Sequence, residues 1–229
     1  MNLILGDGLL ATALIGRTSW PYISRKKDDL EFTNLCKLNS LVPKGTRQII
    51  NLIANTNTYS EDISSMFDVN YRAVTELVDF CNQRQIKLVH FSTDYVYENS
   101  VSQASEEDKV QPTTVYAMSK ALADEYIIKH SNDYLICRGS HKVEPFDYEY
   151  AWDNVRGNFD YVDEIVELFY QLITGGATGL YNIGTVEKTM FELAIKTSLR
   201  VKPRKAPDHF PKDVTMDLTK MNNFLNYGK

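Results

Sequence analysis

The stretch Asn2-Leu3-Ile4-Leu5-Gly6-Asp7-Gly8-Leu9-Leu10-Ala11 joins a short apolar run to a longer one through two closely spaced glycines. The first run has the length and composition of a buried strand. The second continues over 9–15 with the residues of a helix. A strand that passes through a glycine turn directly into a helix is the opening of an α/β fold.

Short β-rich runs and longer helical runs alternate along the rest of the chain. Predicted strands follow at 21–24, 48–54, 87–91, 134–137 and 179–183, and predicted helices at 69–83, 116–130, 162–173 and 187–199. Segment 203–211 is polar, contains prolines and shows no periodic pattern. This alternation predicts an α/β protein with a Rossmann-type, doubly wound parallel sheet, which binds ligands at the carboxyl ends of its strands.

Composition excludes several classes of function. The chain has 229 residues, a net charge of −5 and a pI near 5.4, which argues against nucleic acid as a partner. Its three cysteines are widely spaced and do not form a disulfide or zinc pattern, and no metal site is expected. Because no signal peptide precedes the first strand and no apolar run is long enough for a membrane span, we predict a cytoplasmic protein without membrane contact.

The glycine turn has the spacing of a dinucleotide-binding motif, Gly6-x-Gly8-x-x-Ala11. Such a turn needs a tight bend, a bare backbone beside the pyrophosphate and a small residue where helix and strand touch. The N-terminus of the following helix then offers unpaired N–H groups to the phosphates. A plain strand-to-helix turn is the structural alternative.

Basic residues after the second predicted strand favour NADP(H) over NAD(H), which remains possible. Ser24, Arg25 and Lys26 stand where an acidic residue would bind the ribose 2′-hydroxyl of NAD, and a basic side chain suits the 2′-phosphate of NADP. Asp29 and Leu30 are expected at the adenine edge. Small or polar residues that end the third strand leave room for the adenosine side of the cofactor; they are Ala54 and Asn55.

A second group of residues has the pattern of proton-transfer chemistry. Tyr116 and Lys120 are spaced i, i+4, so that both side chains share one face of the predicted helix. An ammonium beside a phenol favours the phenolate, and such a tyrosine exchanges a proton with a carbonyl or alcohol oxygen near neutral pH. Thr93, at the end of the fourth strand, offers a hydroxyl to the same oxygen.

The run Ser92-Thr93-Asp94-Tyr95-Val96-Tyr97 and the run Gln111-Pro112-Thr113-Thr114-Val115-Tyr116-Ala117-Met118-Ser119-Lys120 resemble the extended short-chain dehydrogenase/reductases. Within that superfamily they are most similar to the dTDP-4-dehydrorhamnose reductases. Segments 51–55, 69–70, 158–165 and 179–184 fit the same pattern, so that the resemblance covers nearly the whole chain.

The resemblance implies an NADPH-dependent reduction of a 4-keto group on a nucleotide-activated deoxysugar. Tyr116 would protonate the sugar oxygen, Lys120 would lower the pKa of the tyrosine and hold the nicotinamide ribose, and Thr93 would orient the carbonyl. Residues 1–138 would form the NADP-binding core. Residues 139–229 would form a small, shortened substrate-binding region, interleaved with the last core strand at 179–184 and with helices. A homodimer is possible.

Further site residues complete the prediction. The remaining cofactor-binding candidates are Leu9, Leu10, Gly139 and Ser140, together with Tyr116 and Lys120. The substrate-binding candidates are Thr93, Asp94, Tyr95, Trp152 and Arg156. Arg156 offers bidentate geometry to a diphosphate, and Trp152 offers a stacking surface, although a surface arginine and a core tryptophan are the structural alternatives.

Departures from the family pattern leave two other functions open. The related 4,6-dehydratases carry an Asp-Glu pair after the threonine, and here the pair is Asp94-Tyr95, which favours ketoreduction over dehydration. A nucleotide-sugar epimerase would use the same three residues. The glycine turn is one residue tighter than usual, Asp7 places a negative charge near the pyrophosphate, and the chain is shortened between Arg138 and Arg156. This shortening is compatible with a non-catalytic NADP-binding regulatory subunit.

Overall fold

A computed structural model describes residues 1–58, 62–98, 100–208 and 210–226. The strands are β1 (Asn2–Leu5), β2 (Tyr22–Ile23), β3 (Gln48–Asn51), β4 (Lys87–Ser92), β5 (Tyr134–Arg138), β6 (His141–Lys142), β7 (Tyr150–Trp152), β8 (Arg156–Gly157), β9 (Asp160–Tyr161), β10 (Gly179–Asn182), β11 (Lys188–Thr189), β12 (Lys202–Arg204) and β13 (Asp213–Val214). The helices are α1 (Leu9–Thr18), α2 (Arg25–Asp28), α3 (Leu38–Leu41), α4 (Ile63–Phe67), α5 (Ala73–Arg84), α6 (Val115–His130), α7 (Val162–Thr174), α8 (Met190–Ala194) and α9 (Thr219–Asn226). Short 3-10 turns occupy Leu35–Lys37 and Asp94–Tyr97, and a π-helical turn, Asp68–Arg72, leads into α5.

The central sheet confirms the predicted Rossmann-type fold. Its strand order is β10-β5-β4-β3-β1-β2, and β1 pairs in parallel with both β2 and β3. After β2 the chain crosses to the other side of β1, so the direction of winding reverses there. In open α/β sheets, this reversal is where ligands bind.

The chain divides into two compact units. Unit 1 contains 1–92, 114–137 and 177–180, and unit 2 contains 93–113, 138–176 and 181–229. The predicted boundary at residue 138 falls where the chain passes from unit 1 into unit 2. Segment 93–113 adds to unit 2 a stretch that the sequence pattern did not indicate.

One face of the central sheet in unit 1 packs through aliphatic side chains. Leu3, Leu5 and Ile49 are buried there, and Val74 and Leu77 of α5 pack into the same cluster. The regular spacing of these apolar residues along each strand and helix explains why the elements of this unit were predictable.

Unit 2 contains short elements, and one prediction for it was wrong. Segment 187–199 begins with β11 rather than with a helix, because Lys188 pairs antiparallel with Gly157. Helix α8 begins only after Thr189, whose side chain forms a reciprocal capping box with Glu192. In segment 203–211, for which no element was predicted, Pro203 and Arg204 belong to β12, which runs parallel to β7.

Candidate active site

A cavity of about 410 Å³ lies in unit 1 at the carboxyl ends of β1, β2 and β3. This volume is within the range of small-molecule and cofactor sites. Its lining includes seven of the residues predicted to bind a cofactor, namely Gly6, Gly8, Ser24, Arg25, Leu30, Ala54 and Asn55. It also includes Asp7, whose charge was expected near the pyrophosphate, and seven residues that the sequence analysis did not place at the cofactor, namely Glu31, Phe32, Thr33, Leu52, Ile53, Ser65 and Val69. Leu52 and Ile53 follow β3 directly, and this position at the carboxyl end of a parallel strand is the signal that could have found them.

The two glycines of the turn serve different purposes. Gly6 has φ +113°, and a Cβ there would lie 3.2 Å from Ile53 Cγ1 and 3.4 Å from the Leu52 backbone. It therefore allows the chain to turn against β3. Gly8 has an ordinary φ of −71°, and a Cβ built on it meets no atom within 4 Å. The space in front of Gly8 is therefore open.

Helix α1 presents its N-terminus to this cavity without a side-chain cap. Its N-cap residue, Gly8, has no side chain that could cap the helix, so the first N–H groups have no partner within the helix. Such an end attracts anions through its N–H groups and its dipole. The bare glycine and the uncapped helix together fit a pyrophosphate, although the carboxylates of Asp7 and Glu31 also line the cavity.

Arg25 lines the cavity at the end of β2. Lys26, Leu9, Leu10 and Asp29, which were also predicted to bind the cofactor, do not. Lys26 is exposed, and Leu9 and Leu10 lie on α1 outside the lining. Asp29 forms an ion pair with Lys37, 2.5 Å from its ammonium, and this contact lowers the pKa of Asp29. Arg25 is therefore the basic side chain of the Ser24–Lys26 group that the structure brings to the cavity.

Helix α6, which belongs to unit 1, carries the predicted tyrosine and lysine on consecutive turns. It begins after Thr114, whose hydroxyl accepts a hydrogen bond from the Ala117 N–H at 3.1 Å. Tyr116 is half-buried, and Lys120 is only 1% exposed. Lys120 Nζ lies 2.9 Å from the Phe91 carbonyl oxygen and 2.9 Å from His90 Nε2. Burial lowers the pKa of Lys120 to about 8, against the opposing effect of the Asp124 carboxylate.

Thr93 begins unit 2 and caps the 3-10 turn Asp94–Tyr97. Its Oγ1 accepts from the Tyr95 N–H and donates to Asp94 Oδ1, both at 3.3 Å. Asp94 is fully buried, accepts a 2.5 Å hydrogen bond from Ser140, and leaves its Oδ2 without a hydrogen-bond partner. Burial raises the pKa of Asp94, and the Ser140 hydrogen bond and the charge of Lys142 oppose that rise.

The remaining predicted residues have contacts of their own in unit 2. Gly139 packs so closely that a Cβ would lie 2.5 Å from the Ile183 carbonyl oxygen, so this position requires glycine irrespective of any cofactor. The Trp152 ring lies 5.7 Å from the Phe210 ring. Arg156 forms an ion pair with Glu187. Trp152 and Arg156 lie on different small sheets, β12-β7 and β11-β8-β13.

The model of the RmlD substrate binding domain matches residues 2–142, which is more than half of the chain. The chain belongs to the RmlD substrate binding domain family. The match spans the glycine turn, Thr93 and the Tyr116–Lys120 pair, which are the motifs on which the sequence-based resemblance depended.

Solved structures share the fold of this RmlD family member over nearly its full length. A hypothetical dTDP-4-dehydrorhamnose reductase from Sulfolobus tokodaii is 20% identical with a TM-score of 0.83, and the alignment covers 99% of this chain and 95% of that one. A dTDP-4-dehydrorhamnose reductase from Clostridium acetobutylicum is 18% identical with a TM-score of 0.83, covering 96% and 90%. The corresponding enzyme from Bacillus anthracis, in complex with NADP, is 19% identical with a TM-score of 0.81, covering 97% and 92%.

In the part of this RmlD-family chain that the structure describes, no helix has both the length and the apolar character needed to cross a membrane. Among the same residues, no cluster of three or more His, Cys, Asp or Glu side chains is arranged to hold a metal ion.

Proposed function

We propose that the chain is an NADPH-dependent oxidoreductase that reduces the 4-keto group of a nucleotide-activated deoxysugar. The observation that carries the proposal is the unit 1 cavity, where an open glycine, an uncapped helix N-terminus and Arg25 meet at the winding reversal of the sheet. Family membership and the reductases of the same fold support the reaction class. NADP, which is bound in the Bacillus anthracis structure, is the preferred cofactor, and NAD is the second choice.

The residues of the cavity divide the work of holding the cofactor. Gly6 and Gly8 would leave room for the pyrophosphate, and the N–H groups at the start of α1 would bind its oxygens. Arg25 would bind the 2′-phosphate through the paired N–H groups of its guanidinium. Leu30, Ala54 and Asn55 would surround the adenosine. When bound, the nicotinamide supplies the hydride.

The chemical role of the chain is then proton transfer and orientation. Tyr116 would donate its phenolic proton to the sugar oxygen that becomes the alcohol. Lys120, one turn further along α6, would support the tyrosine and hold the ribose. Thr93 would orient the carbonyl, for which its hydroxyl must turn away from Asp94. Asp94, Tyr95, Trp152 and Arg156 stay substrate-binding predictions.

The decisive experiment follows the loss of NADPH absorbance with a panel of 4-keto sugar nucleotides. We expect turnover with at least one of them, and a fall in kcat of about 10²–10⁴-fold in Tyr116→Phe, because the general acid is lost. NADPH binding, measured by fluorescence enhancement, should persist in this variant. Tyr126→Phe is the matched control, since it removes a phenolic oxygen from the same helix.

Two outcomes would contradict the proposal. If Tyr116→Phe turns over as fast as Tyr126→Phe, the tyrosine is not the acid. If NADPH binds but no 4-keto sugar nucleotide is reduced by the unaltered protein, the chain is better described as a regulatory NADP-binding subunit. An epimerase would interconvert sugars without net consumption of NADPH.

A further inference from the structure

Three polar side chains are completely enclosed in unit 1 and form a chain of contacts. Asn51 at the end of β3 and His90 on β4 are 0% exposed, and Lys120 of α6 is 1% exposed. Asn51 and His90 are directly paired in the parallel register of β3 and β4. Buried polar groups are costly unless each donor finds an acceptor, so the direction of every hydrogen bond in this chain is constrained.

The orientation of the Asn51 amide fixes the protonation of His90. Asn51 Oδ1 accepts the backbone N–H of Ile53 at 3.1 Å, so the other end of the amide, Nδ2, faces His90 Nδ1 at 3.1 Å. An amide nitrogen only donates. His90 Nδ1 must therefore be the acceptor, and the proton of the neutral ring is on Nε2. Burial lowers the pKa of His90 well below its ordinary value, which keeps the ring neutral.

The tautomer of His90 in turn constrains the protonation of Lys120. His90 Nε2 lies 2.9 Å from Lys120 Nζ, and the Phe91 carbonyl oxygen accepts from Nζ at 2.9 Å. An ammonium has three donors and no lone pair, so it cannot accept the Nε2 proton. A neutral amine satisfies both contacts, because it donates to Phe91 and accepts from His90.

We propose that His90 is a positioning residue whose Nε2–H is donated to the neutral amine of Lys120, with Asn51 fixing the tautomer that makes this possible. Protonation of Lys120 would require His90 to move its proton to Nδ1, opposite the Asn51 amide hydrogens. The Asn51–His90 pair thus works against the charged form of the lysine. The role in turnover rests on the proposed function, whereas the hydrogen-bond direction does not.

His90 on β4 contacts Lys120, and two further titratable groups flank it on α6: Asp124 one turn after it and Tyr116 one turn before it. Asp124 raises the pKa of the lysine and is itself held by a 2.9 Å hydrogen bond from the Ser92 hydroxyl. Burial lowers this pKa to about 8. A hydrogen bond donated to the neutral amine acts in the same direction as burial. Lys120 would therefore titrate within the range in which enzymes exchange protons and would not be a permanent cation.

The tautomer of His90 is directly measurable in the unaltered protein. The protein contains four histidines, so ¹⁵N-histidine labelling gives a simple spectrum, and the signals lost in His90→Phe identify His90. In long-range ¹H–¹⁵N spectra at about pH 8.5, above the lysine pKa of about 8, we expect the Nε2–H tautomer. A neutral Nδ1–H tautomer or an imidazolium ring at this pH overturns the proposal.

The influence of Asn51 on Lys120 is tested by changing the direction of its hydrogen bond. Asn51→Asp places an acceptor at both ends of the side chain, so His90 should shift its proton to Nδ1 and accept from a charged lysine. With ¹³Cε-lysine labelling, we expect the Lys120 midpoint to rise by at least about one pH unit. Asn51→Leu removes the donor without adding charge and should raise the midpoint by less. An unchanged midpoint in both variants overturns the proposal.

Kinetics then separate this inference from the proposed function. With a 4-keto sugar nucleotide, we expect the pH profile of kcat in Asn51→Asp to shift upward together with the Lys120 midpoint, while KM for the sugar stays near its original value. The spectroscopic tests need neither cofactor nor substrate. If they succeed and no turnover is seen, the hydrogen-bond chain stands and the proposed reaction fails. If turnover is seen and His90 carries its proton on Nδ1, the reaction stands and the positioning role fails.

Discussion

In unit 1, long strands are buried through apolar side chains. In unit 2, the strands are short and buried polar contacts help to hold them. In unit 1, β1, β3 and β4 are four to six residues long and pack through leucine, isoleucine and valine. In unit 2, β6, β8 and β9 have two residues each, and Asp160 of β9 contacts Lys188 and Thr185 through its carboxylate. An apolar core tolerates the loss of one contact by repacking, but a buried charge depends on its particular partner.

The largest expected effect comes from removing the carboxylate at the centre of unit 2. Asp160 Oδ2 accepts from Lys188 at 2.9 Å and from Thr185 at 2.6 Å, and both charged side chains are 9% exposed. Asp160→Ala leaves the Lys188 ammonium buried without its counter-charge, which should cost about 3–5 kcal/mol of unfolding free energy. Urea unfolding measures this loss.

The matched control is Asp208→Ala, at an exposed position of the same unit, which should change stability by less than about 0.5 kcal/mol. Amide exchange should show that protection is lost first around β8, β9 and β11. Equal effects of the two substitutions would mean that the ion pair does not stabilise unit 2.

The second effect uses pH to separate the two units. Burial acts to raise the pKa of Asp160, but hydrogen bonds from Thr185 and Lys188 hold it below its ordinary value. Its stabilising contribution is thus present above the ordinary aspartate pKa and is lost as the pH falls through the lowered one. Lys120 in unit 1 changes stability in the same direction, but in an alkaline window instead of an acidic one. Since its pKa falls from 10.5 to about 8, the unfolded chain binds the extra proton between these values, and stability rises with pH across that window.

The Lys120 effect is isolated by comparison with Lys120→Met. We expect the unfolding free energy of the unaltered protein to gain on the order of 3 kcal/mol over the variant between pH 8 and 10.5. Because other titrating groups are common to both proteins, they cancel in this difference. A difference that stays constant with pH would show that Lys120 keeps its proton in the folded state.

The same contrast explains what the sequence could and could not predict. Runs such as Ile49-Ile50 and Leu88-Val89 lie between turn residues, so the strands of the central sheet and the glycine turn were predictable. The pairing of Lys188 with Gly157 was not, because two-residue strands carry no periodicity and depend on contacts distant in sequence. Helices α2, α3, α4 and α9 were missed because they are short.

The candidate site divides in the same way. The cavity residues at strand ends follow from the rule for parallel sheets, and seven residues of the predicted cofactor set line the cavity. The Asn51–His90–Lys120 chain was not foreseen. A histidine between Val89 and Phe91 is nevertheless a polar residue inside an apolar strand, which is the signal that could have marked it.

A smaller effect tests whether the unit 1 cavity selects the phosphorylated cofactor. Arg25→Ala removes the guanidinium from the cavity lining, and loss of a charge-assisted hydrogen bond costs about 1.5–3 kcal/mol. We therefore expect NADPH affinity to fall about 10–150-fold while NADH affinity changes little. Lys26→Ala, at the exposed neighbouring position outside the lining, is the control. Equal weakening of both cofactors by Arg25→Ala would contradict the role in 2′-phosphate binding.

The smallest effect on stability is expected at Gly8, where glycine leaves open space but is not needed for an unusual backbone conformation. Gly8 has an ordinary φ and open space in front of it, so Gly8→Ala should change the unfolding free energy by less than about 0.5 kcal/mol. The added methyl group would nevertheless occupy the space in front of the uncapped end of α1 and weaken NADPH binding. Gly16→Ala, in the same helix and also free of contacts within 4 Å, should leave binding unchanged. Fluorescence titration measures both. If Gly8→Ala binds NADPH as tightly as Gly16→Ala, the cofactor phosphates do not approach this turn, and the uncapped helix end is a feature of folding alone.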